Sequence, residues 1–191
     1  SERGIGREAV ERFRIGWVPR QPGWLYAFLR KKNYSDDFLL QSGLFVRRLG
    51  QIRAIFWGRV MFPISNSRGE VIAFGGRSLA DDGPKYVNSA ESQLFHKAEH
   101  LYGIDLALAA LRRRHARPGT IGEGAAAGAA ASGGHDGQMI DTATHVPGTE
   151  MPAVAVVEGY TDVIALSAIG IPAVAPLGTA FGRHHAHLMK R

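Results

Sequence analysis

The clearest pattern of hydrophobic positions lies near the carboxyl end of the chain, over residues 151–178. Residues 154–157 form a short apolar run rich in β-branched side chains, which predicts a buried strand. Residues 163–169 continue as a short helix, and Gly170 stands where a helix stop is expected. Residues 171–177 form a second apolar run. The pattern predicts a strand–helix–strand unit whose two strands lie parallel in one sheet.

The first half of the chain shows shorter patterns of both periods. Helical spacing predicts helices over 7–13, 24–32, 35–40 and 104–114, and a helical turn at Lys97. Two hairpins are predicted, joining 44–46 to 52–57 and 59–65 to 70–75. Pro63 implies that its strand lies at an edge or carries a bulge. Residues 15–19 are interpreted as a breaker between elements.

Composition divides the chain into three predicted parts. Residues 118–150 include GEGAAAGAAASGGHDGQ and contain no Lys or Arg, so we interpret them as a flexible, low-complexity insertion. The domain boundaries are therefore predicted as 1–117, 118–150 and 151–191. Cysteine is absent, which excludes disulfides and cysteine-ligated zinc. No membrane-length apolar run and no leader are visible, which indicates a soluble, cytoplasmic protein.

Charge is distributed unevenly between these parts. Residues 1–117 hold 20 Lys and Arg against 11 Asp and Glu, whereas residues 118–191 hold 3 against 6, giving the net charge of +6. The basic part, residues 1–117, beside the acidic part, residues 118–191, suggests that the protein holds a polyanion next to a metal site. A solvated surface rich in Arg and Lys is the alternative explanation.

Two carboxylates mark the predicted strand–helix junction. Glu158 ends the first strand and Asp162 follows in the first helical turn, at the edge where open α/β sheets bind ligands. Carboxylates there suit a hard divalent cation that also holds phosphate oxygens. The alternative is that both residues only place negative charge near a helix N-terminus.

Basic and aromatic residues concentrate elsewhere in the sequence. Arg77 follows Gly75-Gly76, where glycines would permit another backbone to approach; a glycine bulge with a surface arginine is the alternative. Residues 85–89 combine a cation, an aromatic ring, an amide and a hydroxyl. We interpret the three arginines at 112–114 first as residues that cap the predicted helix by complementing its dipole, and only second as ligand-binding residues. The histidines at 184, 185 and 187 are assigned no role, because adjacent helical residues face different ways.

Seven segments, in order, resemble the catalytic core of bacterial DnaG-type DNA primases. They are 12–17 (RFRIGW), 59–64 (RVMFPI), 71–77 (VIAFGGR), 84–89 (PKYVNS), 95–97 (FHK), 101–103 (LYG) and 157–163 (VEGYTDV). The resemblance implies an α/β fold, in which a mixed α+β basic subdomain precedes the first βαβ unit of a Toprim parallel sheet. It also implies a DNA-directed RNA polymerase, a nucleotidyltransferase that makes short RNA primers for replication.

The resemblance also assigns roles to individual residues. Glu158 is implied to bind Mg²⁺ or Mn²⁺, or to act as general acid or base, with Asp162 supporting it. The implied groove for template and nucleotide consists of Arg59, Arg77, Lys85, Tyr86, Asn88 and Lys97. Implied partners are single-stranded DNA, ribonucleoside triphosphates and a replicative helicase, the last through a family domain absent here. The implied location is the bacterial cytoplasm at the replication fork.

Departures from the family pattern limit this interpretation. A Toprim site needs a second, DxD-type acidic cluster, yet no Asp or Glu follows Asp162, and the family's zinc-binding domain is absent too. Thr161 replaces a methionine common in the family. We therefore expect a fragment that is inactive alone. The alternatives are another Toprim enzyme, of phage primase–helicase, topoisomerase or nuclease type, and a non-catalytic module that binds single-stranded DNA.

Overall fold

The computed structural model describes residues 5–80, 83–115, 154–178 and 180–189 of the chain. The helices are α1 (Arg7–Arg12), α2 (Trp24–Lys31), α3 (Asp36–Gln41), α4 (Ile104–His115), α5 (Tyr160–Ala168) and α6 (Arg183–Leu188), with a 3₁₀ turn at Lys97–Glu99. The strands are β1 (Gly16–Val18), β2 (Phe45–Arg48), β3 (Gln51–Ala54), β4 (Arg59–Ser65), β5 (Val71–Ser78), β6 (Tyr86–Asn88), β7 (Leu101–Tyr102), β8 (Ala155–Val156) and β9 (Ala173–Pro176). The predicted mixed α/β class is confirmed.

The helices of the first half end where the sequence indicates. Ser35 caps α3, because its hydroxyl accepts a hydrogen bond from the Phe38 N–H at 3.2 Å. The hairpin of β2 and β3 is also confirmed, with Phe45 opposite Ala54. Leu49 and Gly50 both have positive φ, at 49° and 77°, which is the backbone of a two-residue turn that matches strand twist.

An antiparallel sheet with strand order β1-β4-β5-β6 forms the centre of the first half. The interpretation of residues 15–19 as a breaker is wrong, because Gly16–Val18 pairs with Met61–Arg59 as strand β1. Strand β4 is internal to the sheet, but its pairing with β1 ends at Met61, two residues before Pro63. On the β1 side, therefore, no partner strand needs the backbone N–H group that proline lacks. A register shift follows at Ile64/Ser65. Pro63 therefore lies where the strand is locally an edge, next to a bulge.

The predicted strand–helix–strand unit is present in the second half. Strands β8 and β9 are parallel, with Ala155 opposite Ala173, and α5 connects them. Gly170 has a φ of 80° just after α5, which is the left-handed backbone that favours glycine at a helix end. Strand β7 adds to the other side of β9 in antiparallel orientation, so the sheet order is β7-β9-β8. Assignment of this unit to the Toprim fold stays a prediction.

One hydrophobic core joins the two halves of the chain. Phe13, Phe62 and Tyr102 from the first half pack in the same buried cluster as Tyr160 and Val163 from α5. The antiparallel pair β7–β9 also crosses from one half to the other. The predicted domain boundaries stay a prediction, but residues on both sides of them share packing. Among the described residues, no helix is long and apolar enough to cross a membrane.

Candidate active site

An acidic edge lies at the carboxyl end of β8. Glu158 follows the strand and Asp162 lies in the first turn of α5, and both side chains are exposed. Gly159 separates them, and a Cβ atom there would be 3.2 Å from the Asp162 Oδ2 atom. Glycine therefore leaves room for that carboxylate beside the N-terminus of α5. Across the described ranges, neither carboxylate has a hydrogen bond or ion pair from a side chain, so both are available to a ligand.

These two carboxylates fit part of a coordination shell for a hard cation. Carboxylate oxygens are the ligands that Mg²⁺ and Mn²⁺ prefer, and few other protein ligands are usual when phosphates also coordinate. However, the described part of the chain contains no group of three or more His, Cys, Asp or Glu side chains that could hold a metal ion. The donor chemistry of the two carboxylates is suitable for such a cation.

A cation and an aromatic ring are paired on the neighbouring strands β5 and β6. Arg77 lies opposite Tyr86 in the register, and the Arg77 Cζ atom is 5.6 Å from the centre of the Tyr86 ring. Such stacking leaves the guanidinium edge free for hydrogen bonds with an anion. The Arg77 Nε atom is buried with no hydrogen-bond partner among the described residues. Lys85 precedes Tyr86 and is exposed. The three side chains form a basic, aromatic surface.

Arg59 occupies a different environment from the other predicted binding residues. Its side chain is only 7% exposed, and Nη1 donates hydrogen bonds to the carbonyl oxygens of Gly76 and Lys85, both at 3.4 Å. The Gly76 carbonyl belongs to β5, and Lys85 directly precedes β6. Arg59 therefore holds together the two strands that carry Arg77 and Tyr86. Its predicted contact with template or nucleotide stays a prediction.

Tyr160 connects the basic strands to the acidic edge, and the sequence analysis did not identify it. Its hydroxyl donates a hydrogen bond to Asn88 Oδ1 at 2.5 Å, and Asn88 Nδ2 donates to the Leu177 carbonyl at 3.0 Å. Its ring meets the Tyr86 ring edge-on at 6.0 Å. Burial raises the pKa of the Tyr160 hydroxyl above its usual range. The sequence offered one indication of this role, because Tyr160 lies between Glu158 and Asp162.

The two glycines of β5 permit rings, not a ligand backbone, to approach. A Cβ atom at Gly75 would be 2.3 Å from Cε2 of Tyr160, and one at Gly76 would be 2.7 Å from Cδ1 of Phe56. Neither spacing is possible for a real side chain. Gly75 and Gly76 are therefore required by aromatic packing inside the protein, which also explains why Tyr160 can reach Asn88.

Lys97 and the histidines lie apart from this network. Lys97 starts the 3₁₀ turn, and its backbone N–H donates to Glu91 Oε1 at 3.2 Å. Within the described ranges, no hydrogen bond or ring contact joins Lys97 to β5 or β6. His185 is 1% exposed, and its Nδ1 accepts a hydrogen bond from the Gly182 N–H at 3.0 Å. His185 is thus a packed residue of α6.

Fold and site together define a mixed α/β catalytic-core domain, with a basic antiparallel sheet beside an acidic parallel edge. The family model described as "DNA primase catalytic core, N-terminal domain" matches residues 1–108. The chain belongs to this family of DNA primase catalytic cores. The predicted resemblance to DnaG-type primases is thereby confirmed.

Similar proteins agree with this assignment along the whole chain. The DNA primase of Salmonella typhimurium is 37% identical over 194 residues, covering 100% of this chain and 27% of the relative. That of Treponema pallidum is 32% identical over 191 residues, covering 100% and 25%. The chain thus spans about a quarter of the length of these relatives.

Solved structures show the same fold. The RNA polymerase domain of Mycobacterium tuberculosis primase DnaG, in complex with a double-stranded DNA oligomer with a 6-nucleotide overhang, has a TM-score of 0.73 and 31% identity. The match covers 99% of this chain and 49% of the Mycobacterium tuberculosis chain. A DnaG primase catalytic domain bound to single-stranded DNA has a TM-score of 0.68 and 33% identity, covering 98% and 47%.

Proposed function

We propose that this chain is part of an enzyme that synthesises short RNA primers on single-stranded DNA by metal-dependent nucleotidyl transfer. Its substrates would be a DNA template and ribonucleoside triphosphates. The observation that carries this proposal is the link from Tyr86 through Tyr160 to the strand end that bears Glu158. This link supports the proposal, because a surface suited to nucleic acid would then lie beside a pair of carboxylates suited to a cation. The replicative helicase as partner rests on the family resemblance alone.

Glu158 and Asp162 would supply the acidic part of the site. A bound Mg²⁺ would lower the pKa of a primer hydroxyl and neutralise charge on the triphosphate. Glu158 and Asp162 would hold that cation through their exposed oxygens, and the positive end of α5 would favour negative charge at Asp162. Asn88 and Tyr160 would keep the acidic edge at a fixed distance from the basic strands.

Arg77, Lys85 and Tyr86 would bind the template strand. Single-stranded nucleic acids are bound by cations that follow the backbone and by aromatic faces on which bases stack. Tyr86 is 41% exposed, so part of its ring is accessible to a base, and Arg77 stacks on the same ring. Two of the similar structures are DnaG domains in complex with DNA, which supports this role.

The proposal is tested by Glu158→Gln in the full-length protein that contains this chain. Primer synthesis is measured on a single-stranded template with Mg²⁺ and ribonucleotides. We expect synthesis to fall at least about a hundredfold, the lower range for losing one group that stabilises transition-state charge. Binding of the template, followed by fluorescence anisotropy, should stay the same.

Glu8→Gln is the matched control, because Glu8 is an exposed glutamate in the first turn of α1 and has no role in the proposed site. It should leave synthesis unchanged. Full primer synthesis by Glu158→Gln would contradict the proposed role of the acidic edge.

A second function is specifically favoured for these 191 residues by themselves. Since fewer than three metal-binding side chains cluster in the described ranges, we propose that the isolated chain binds single-stranded DNA without making primers. Its DNA affinity should fall steeply with added salt. Primer synthesis by the isolated chain would refute this second proposal.

A further inference from the structure

A cavity of about 630 Å³ lies away from the acidic edge and the basic strands. It is half open to solvent and is bordered by the end of α1, by one side of α4, by α5 and by the residues that lead into β9. Its volume falls within the range of about 300–1,000 Å³ that is usual for small-molecule sites. None of the residues assigned to the proposed primase function borders it. The cavity is therefore a separate feature of the fold.

Small side chains keep this cavity open. Helix α4 presents Ala107 and Ala110 to it, one turn apart, and α5 presents Val163 and Ser167 at the same kind of spacing. Gly170 then ends the α5 side. Larger apolar residues at the two alanine positions would fill part of this space.

Two arginines border the same cavity. Arg12 comes from the last turn of α1 and Arg113 from the last turns of α4, and both side chains are exposed. In the part of the chain that the structure describes, neither guanidinium has a hydrogen bond or an ion pair. Among the residues that the structure describes, no carboxylate lines the cavity. The charge is therefore uncompensated, and it sits at the border of an apolar space.

We infer that this cavity is a binding site for a small amphipathic anion. The apolar or aromatic body of the ligand would fill the space between α4 and α5. Its carboxylate, sulfonate or phosphate group would pair with Arg12 and Arg113, since a guanidinium binds such groups with two parallel hydrogen bonds. Charge complementarity carries the choice of ligand class, because a neutral apolar molecule would leave both arginines unused.

Anilinonaphthalene sulfonate is a suitable probe, because it joins an aromatic body to one anionic group. It is titrated into the full-length protein that contains this chain, and fluorescence reports binding. We expect a saturable site whose affinity falls about fivefold in Arg12→Gln and again in Arg113→Gln, the upper range for a partly exposed charge pair. Phenylnaphthylamine, which has a similar body without the sulfonate, should bind equally to all of these proteins.

Filling the cavity is the second arm of the experiment. Ala110→Phe should abolish the saturable site, and Ser167→Leu serves the same purpose from the other wall if the first variant folds poorly. Arg112→Gln is the matched control for charge, because Arg112 is exposed on α4 and does not border the cavity. Ile169→Ala is the control for exposed apolar surface, since Ile169 is 71% exposed and also lies outside it.

Three outcomes would overturn the inference. The first is no saturable site in the wild-type protein. The second is a site that survives a cavity-filling variant whose melting temperature is unchanged, which would indicate an adventitious additive only. The third is an equal loss of affinity in Arg112→Gln and Arg113→Gln, because that would indicate general attraction to the basic surface.

Discussion

Replacing Gly75 by alanine tests the contact that joins the two halves of the proposed site. Gly75 lies in β5, opposite Asn88 of β6. The added Cβ atom would be 2.3 Å from Cε2 of Tyr160 and 2.8 Å from both its Cζ and hydroxyl atoms. Ordinary contacts of a Cβ atom begin near 3.4 Å. The Tyr160 ring would therefore have to move by about 1 Å, the difference between these distances.

The surroundings of Tyr160 prevent an easy movement. The ring is 6% exposed and packs at centroid distances of 4.5 Å from Tyr102 and 5.4 Å from Phe62. Forcing an extra carbon into such a core costs about 1–3 kcal/mol, and losing the hydrogen bond to Asn88 costs about 1 kcal/mol more. We expect Gly75→Ala to lower the free energy of unfolding by about 2–4 kcal/mol, out of roughly 5–15 kcal/mol for a typical domain.

Urea unfolding measures this change, with the three tryptophans as fluorescent reporters. Gly16→Ala is the matched control, because Gly16 also lies in a strand and a Cβ atom there would meet nothing within 4 Å. That variant should be neutral or stabilised by up to about 1 kcal/mol, since alanine restricts the unfolded chain. The same glycine-to-alanine change is therefore expected to lower the free energy of unfolding at Gly75 and to leave it unchanged or raise it at Gly16.

A double-mutant cycle identifies the cause. Tyr160→Leu removes the ring atoms that the new Cβ would meet, so Gly75→Ala should cost much less in that background. Equal stability of Gly75→Ala and wild-type protein would refute the packing argument. So would an undiminished cost of Gly75→Ala in the Tyr160→Leu background.

Two further predictions concern aromatic residues. Tyr86→Ala should weaken binding of single-stranded DNA by about 1–3 kcal/mol, because a base can no longer stack on the ring. Tyr34→Ala should not weaken it, although both tyrosines are 41% exposed. Anisotropy titrations compare the two variants, and equal losses of affinity would contradict the stacking role. Burial raises the pKa of Tyr102 and Tyr160 in the fold, so stability should be intact below about pH 10 and fall as pH rises above it. Urea unfolding at increasing pH should show a smaller loss of stability in Tyr102→Phe than in the wild-type protein. An equal loss in the two proteins would contradict the buried tyrosine as its cause.

The parts of the fold that depend on local pattern could be predicted from the sequence. The cap at Ser35, the turn at Leu49-Gly50 and the end of α5 at Gly170 each depend on a few neighbouring residues. The acidic pair Glu158 and Asp162 could be located for the same reason, since a strand end and a first helical turn are adjacent in the chain.

The parts that depend on distant contacts could not be predicted. Strand β1 has only three residues, and its pairing with β4 crosses more than forty positions, which no local period reveals. The resemblance implied that Arg59 belongs to the groove for template and nucleotide. Its hydrogen bonds to the Gly76 and Lys85 carbonyl groups could not be predicted, because they depend on the pairing of β4, β5 and β6. The role of Tyr160 was missed because its partner Asn88 is 72 positions away.

The pairing of β7 with β9 has a consequence for how this protein folds during synthesis. Leu101 and Tyr102 are almost completely buried, and their strand partners are Pro176 and Ala175. A growing chain thus carries Leu101 and Tyr102 for some seventy residues before their strand partners are made. It carries Phe13 and Phe62, which pack in the same core, for longer still. Exposed apolar surface of this kind is what chaperones bind and what drives aggregation on the ribosome. Translation speed between α4 and β8 should therefore affect the yield of folded protein more than speed within the first half.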